Sequence, residues 1–226
     1  FKGHTQGGFG GSNKNIGIGC ADGRIGKAMI HTTPNQDNQW DIAKEEFMER
    51  MTESAKSVVD HFGEHIVFIN VMRNMSVSCD CEGICAEPVV TPNVGICASV
   101  DILAADQACV DMVYAMTPHD RHALVQRMES RHGLRQLSYM KELGMGCDRY
   151  VILDMDHGDT PITLAEAVLR SDLDESRLTE EQSRAAMHHL WQVMQATSRE
   201  YDPAQRSRSG LSGGDAAKVE QAHKEG

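Results

Sequence analysis

Cys79, Cys81 and Cys85 lie within a few residues of one another, in the stretch Asn74-Met75-Ser76-Val77-Ser78-Cys79-Asp80-Cys81-Glu82-Gly83-Ile84-Cys85. The pattern is C-x-C-x3-C, and Cys20 could supply a fourth thiol. Soft thiolates at such spacing suit zinc or an iron-sulphur cluster, with Asp80 and Glu82 as outer partners rather than direct ligands. The spacing is neither that of a zinc ribbon nor that of a ferredoxin, so unliganded thiols and a redox disulfide stay open beside a metal. Cys97 and Cys109 sit in apolar surroundings and read as core residues.

A second chemistry is written upstream, where Gly8, Gly10 and Gly11 are followed by Lys14 and Asn15. Exposed amides beside a lysine can cradle an anion or phosphate. The stretch does not fill a Walker A or a dinucleotide-binding pattern. His4, Lys14 and Asp106 are the candidate catalytic groups: His4 for acid/base work, Lys14 as an electrophilic contact to an anionic substrate, and Asp106 as a carboxylate near the thiols. In that reading Cys79 or Cys81 is the nucleophile. Asp101 and Asp106 also suit helix caps and turns. His188-His189 and the thirteen methionines read as surface and packing features.

These groups need elements to hold them. Met48, Met51, Ala55, Val58, Val59 and Phe62 recur at helical spacing, and Gly63 stops that helix. His65 to Met72 is a continuous apolar run, which predicts a strand buried on both sides and leading into the cysteine loop. Val94 to Val100 predicts a second strand, and Leu103 to Met116 a helix. Helices from Pro118 to about Arg131 and from Leu134 to Leu143 follow, then a short strand over 150–155 and a linker over 156–160. Thr163 to Glu166 and Thr179 to Gln182 match the capping box. The second opens a helix with Met187, Leu190, Trp191 and Met194 in one stripe.

The expected architecture is α/β: a mixed or parallel sheet flanked by helices over 1–158, a helical extension over 159–201 and a disordered tail over 202–226. The Trp191 stripe would serve docking if the protein were a non-catalytic partner-binding module.

A net charge of -11 argues against nucleic acid, which needs a basic face. The basic cluster Arg121, His122, Arg127, Arg131, His132 and Arg135 reads as a solvated helix face. The sequence contains no apolar run long enough for a membrane span. An odd count of seven cysteines rules out full pairing into disulfides and points to a reducing, cytoplasmic setting.

Three ordered segments resemble the domain-of-unknown-function 362 group, whose members are often described as iron-sulphur centre proteins. They are Gly3-His4 with Gly8-Phe9-Gly10-Gly11 and Lys14-Asn15; Phe68 to Val71 with Cys79-Asp80-Cys81; and Gly95-Ile96 through Ser99, Asp101 and Asp106-Gln107-Ala108. The resemblance runs to about Asp154. It implies an iron-sulphur or metal centre, a redox role and a redox protein partner. Two departures stand out: the ferredoxin-like cysteine runs are absent, and Ile102 stands where the family often has proline. Family domains usually begin well upstream of the glycine-rich stretch, so the resemblance implies a start earlier than Phe1.

Overall fold

A computed structural model describes residues 1–32 and 42–169. The chain opens with a hairpin, β1 (Lys2–His4) against β2 (Gly8–Gly10), followed by α1 (Ser12–Gly19) and α2 (Gly26–His31). Next come α3 (Lys44–Phe62), β3 (Phe68–Met72), a 3-10 turn over Asp80–Cys85, and β4 (Gly95–Ser99). Helices α4 (Ile102–Ala115), α5 (Pro118–Ser130) and α6 (Arg135–Glu142) precede β5 (Ile152–Asp154), β6 (Thr160–Ile162) and α7 (Leu164–Leu169).

Helix α4 is the axis of the core. Its sequence is apolar on nearly every side, and Leu103, Ala105, Cys109 and Val113 have no exposed surface. A helix of that kind must be wrapped by neighbours. It receives β3 and β4 on one side and α1, α5, α6 and α7 on others. Helix α3 is amphipathic, as its spacing predicts, and buries Phe47, Met48, Met51 and Ala55. Phe47, Met48 and Met51 join Ile30 and Ile42 in a second, smaller apolar cluster.

The class is α/β, with helices packed around small sheets. Every strand pairing among the described residues is antiparallel: β1 with β2, β3 with β4, and β5 with β6. This differs from the mixed or parallel sheet expected from the sequence. Parallel neighbours need a crossover, usually helical, whereas the connection over 73–94 carries only the 3-10 turn and returns the chain beside β3.

A second expectation fails for a related reason. The apolar run predicts a strand covered on both faces, yet only Phe68, Asn70 and Met72 point inward. Ile69 and Val71 are 46% and 45% exposed. An apolar run shows that a strand can be buried, not how many layers cover it.

The expected linker over 156–160 contains a 3-10 turn at Met155–His157 and the start of β6. The first capping box forms: the Thr163 hydroxyl accepts from the Glu166 amide at 3.2 Å, and the Glu166 carboxylate accepts from the Thr163 amide at 2.8 Å. The second capping box, the Trp191 stripe and the tail over 202–226 lie outside the described residues.

Candidate functional site

The glycine-rich stretch folds into a hairpin and a helix start, and Gly8, Gly10 and Gly11 are buried. The first amides of α1 already hold an anion, the carboxylate of Asp106 from α4. The Ser12 amide donates to Asp106 Oδ1 at 2.7 Å and the Asn13 amide to Oδ2 at 2.9 Å. Asn70 Nδ2, from β3, adds a third bond at 2.8 Å. Negative charge at a helix N-terminus is favourable, and here the chain supplies its own.

Gly11 makes this approach possible, because a Cβ there would lie 2.4 Å from Asp106 Oδ1. Burial pushes the Asp106 pKa above its ordinary 3.8, against the pull of the three donors. Asp106 therefore ties α1, β3 and α4 together. Lys14, half-buried, and Asn15, exposed, remain at the surface, with Lys14 Nζ 3.4 Å from Asn15 Oδ1.

A chain of polar side chains extends from this knot. Asn13 Nδ2 donates to Thr52 Oγ1 at 2.9 Å and to Gln136 Oε1 at 3.2 Å. Gln136 Nε2 in turn donates to the carbonyls of Gly7 and Phe9, at 2.8 and 3.0 Å. The hairpin that carries His4 is thus fixed from inside the protein.

His4 and Cys79 are each only 5% exposed, and their side chains hydrogen-bond to each other. The loop reaches the hairpin through the Gly3 amide, which donates to the Ser76 carbonyl at 2.7 Å. No side chain fits at residue 3, where a Cβ would lie 2.1 Å from the Val77 carbonyl oxygen.

The Gly7 amide donates to His4 Nδ1 at 2.7 Å. That bond decides the tautomer. Nδ1 accepts and so carries no proton, which places the neutral ring's proton on Nε2. Burial, with Lys14 and His31 nearby, lowers the His4 pKa below 6.5 and keeps the ring neutral. The ring also stacks on Phe47, at 6.2 Å between centroids.

Cys79 caps the 3-10 turn in a capping-box arrangement, with the Glu82 amide turned to its side chain. Glu82 Oε1 accepts from the Cys79 amide at 3.3 Å, from Thr5 Oγ1 at 2.7 Å and from Arg127 Nη1 at 2.8 Å. Burial works against this carboxylate, but Arg127, Thr5 and Ser78 outweigh it and hold the pKa down at about 2. Glu82 is therefore the latch that fastens the cysteine loop to α5 and to the hairpin.

The thiols sort differently from the sequence pattern. Cys79 is buried, Cys85 and Cys20 are exposed, and the side chain of Cys81 lies outside the described set. Among the described residues no group of three or more His, Cys, Asp and Glu side chains is placed to hold a metal ion.

Asp101 acts as a cap, accepting from the Ala104 amide at 2.9 Å. Three of the six residues of the basic cluster are engaged with acids: Arg127 with Glu82, His132 with Glu45, and Arg135 with Glu49 and Glu142.

Sequence reasoning missed Asn13, Thr52 and Gln136, read Arg127 only as part of a solvated face and gave Glu82 only an outer role. The usable signals were polar residues inside apolar periodicity: Asn70 within the β3 run and Asp106 within α4.

Residues 1–111 match the family model described as Domain of unknown function (DUF362). This region belongs to that family. No curated protein and no solved structure matches the chain. The DUF362 match spans the hairpin, the cysteine loop and most of α4, and so includes His4, Cys79 and Asp106. Arg127 and Gln136, which brace that site, lie beyond it. No helix of the described residues is long and apolar enough to cross a membrane.

Proposed function

We propose that the DUF362 domain is a thiol-dependent enzyme acting on an anionic small molecule, with Cys79 as nucleophile. The observation that supports this most directly is the His4 ring: its Nδ1 accepts from the Gly7 amide, and its side chain hydrogen-bonds to Cys79. In that tautomer His4 is a hydrogen-bond donor to sulphur, a group that stabilises a thiolate, rather than a base that removes the thiol proton. Lys14 and Asn15 at the surface edge of the hairpin provide the contact for the substrate's negative charge. Cys79 is buried, so a substrate reaches it when the loop latched by Glu82 moves.

The test is a panel of phosphorylated and carboxylated small molecules screened for a rise in melting temperature. The expected result is a shift that Lys14→Ala abolishes, and slower alkylation of Cys79 in His4→Phe. Absence of any shift, together with native alkylation kinetics in His4→Phe, would overturn the reading.

A second reading is a metal or iron-sulphur centre with a redox role and a redox protein partner, supported by the C-x-C-x3-C spacing and by the family resemblance. Protein purified without oxygen and carrying stoichiometric zinc or iron would favour it over the enzyme. The six described cysteines are all free, which supports a reducing, cytoplasmic setting.

A further inference from the structure

Cys97 and Cys109 belong to neither reading. Cys97 lies on β4 directly across from Asn70, on the inner face of the sheet, and Cys109 lies one turn beyond Asp106 on α4. Their side chains hydrogen-bond to each other, and Asn70 also bonds Cys109. Both thiols are free. They differ in access: Cys109 has no exposed surface, whereas Cys97 is half-buried on a strand whose far edge carries no partner among the described residues.

Two thiols in contact, borne by separate elements, one reachable and one sealed, make an attacking and resolving pair. We propose that Cys97 and Cys109 form a reversible intramolecular disulfide when the protein meets a hydroperoxide.

The sulphur of Cys97 attacks one peroxide oxygen; an S–O bond forms, the O–O bond breaks, and the departing oxygen takes up a proton and leaves as water or an alcohol. Cys97 is then a sulphenic acid. The sulphur of Cys109 attacks it, the S–S bond forms, the S–O bond breaks, and the second oxygen leaves as water with the Cys109 proton. The two thiols together lose two electrons and two protons, and the peroxide gains both. An external dithiol returns them and restores the pair.

The hydrogen bond from Cys109 favours the charged form of Cys97, while burial and that same contact push Cys109 up. This agrees with the division of roles that access alone assigns.

The experiment treats the purified full chain with one equivalent of hydrogen peroxide, blocks free thiols with N-ethylmaleimide, and maps peptides by mass spectrometry without reduction. The expected result is a Cys97–Cys109 linked peptide pair, two hydrogens lighter than the separate thiols and released by dithiothreitol. Recovery of Cys97 and Cys109 as separately blocked peptides, while the exposed Cys20, Cys85 and Cys147 oxidise, would overturn the proposal.

Cys109→Ser should leave Cys97 as a sulphenic acid that dimedone captures, and an unlabelled Cys97 in that variant counts against it. If Cys109→Ser does not fold, Cys97→Ser serves instead. There Cys109 should stay unoxidised, and its oxidation at the native rate would overturn the order of attack.

Discussion

Asp106 and Cys79 are both buried acids held by hydrogen bonds, yet the structure uses them in opposite ways. Asp106 is enclosed by three donors from α1 and β3, and both of its oxygens are occupied. Cys79 is buried against His4, and the loop that carries it is fastened through Glu82 to Thr5 and Arg127 and through the Ser76 carbonyl to the Gly3 amide. A buried group that is fully satisfied from rigid elements stabilises a fold. A buried nucleophile under a latched loop can be exposed without unfolding the rest. The difference assigns anchoring to the first and leaves the second to the chemistry of the proposed function.

The largest break in this comparison comes at the anchor. Asp106→Ala removes three bonds and leaves the Ser12, Asn13 and Asn70 donors buried without partners, at a cost of about 3–5 kcal/mol. Urea unfolding should show this as a lower midpoint, and a midpoint within error of the native one would refute the anchoring role.

Gln136→Ala comes next. It releases the Gly7 and Phe9 carbonyls and one bond to Asn13, so about 2–3 kcal/mol is expected to be lost. Because the hairpin carries His4, the same variant should also change the alkylation rate of Cys79.

Glu82→Gln sharpens the contrast. Stability should fall by about 2 kcal/mol as the charged bond to Arg127 is lost. Alkylation of Cys79 should accelerate by far more than the loss of global stability explains. Equal effects on unfolding and alkylation would mean that the loop does not open on its own.

The pH dependence is smaller and has a definite sign. His4 has a lowered pKa when folded, so below pH 6.5 the unfolded chain takes up a proton that the folded chain refuses, and stability falls as pH drops. Glu82, held at about 2 against its ordinary 4.5, extends that loss through the acid range. Asp106 acts oppositely: its raised pKa lets the folded chain keep a proton that the unfolded chain has released, so its contribution declines as pH rises above 3.8. His4→Phe should flatten the slope that begins near pH 6.5 in thermal melts taken across that range. The smallest expected effect is at the exposed Lys141–Asp148 pair, where Lys141→Ala should leave the melting temperature unchanged.

Several local elements were legible in the sequence, though not the hairpin, α1 and α2 that the glycine-rich stretch and its neighbour form. Helical spacing marked α3, Thr163 and Glu166 marked the start of α7, and Pro118 marked the first turn of α5, because propensity and capping act over a few neighbouring residues. It also singled out His4, Cys79 and Asp106 as residue types able to do chemistry, and the resemblance to the family, which ran to about Asp154 where the family match covers residues 1–111.

Only the tertiary structure decided which of these meet. His4 lies far from Cys79 in sequence, and Asp106 farther still from Ser12, so their pairing depends on how the loop over 73–94 returns and on how α4 is wrapped. The direction of the strands, the single covered face of β3 and the capture of the α1 amides by Asp106 follow from the same long-range packing. No periodicity in the chain encodes these, because each is a contact between surfaces that come together only when the core closes.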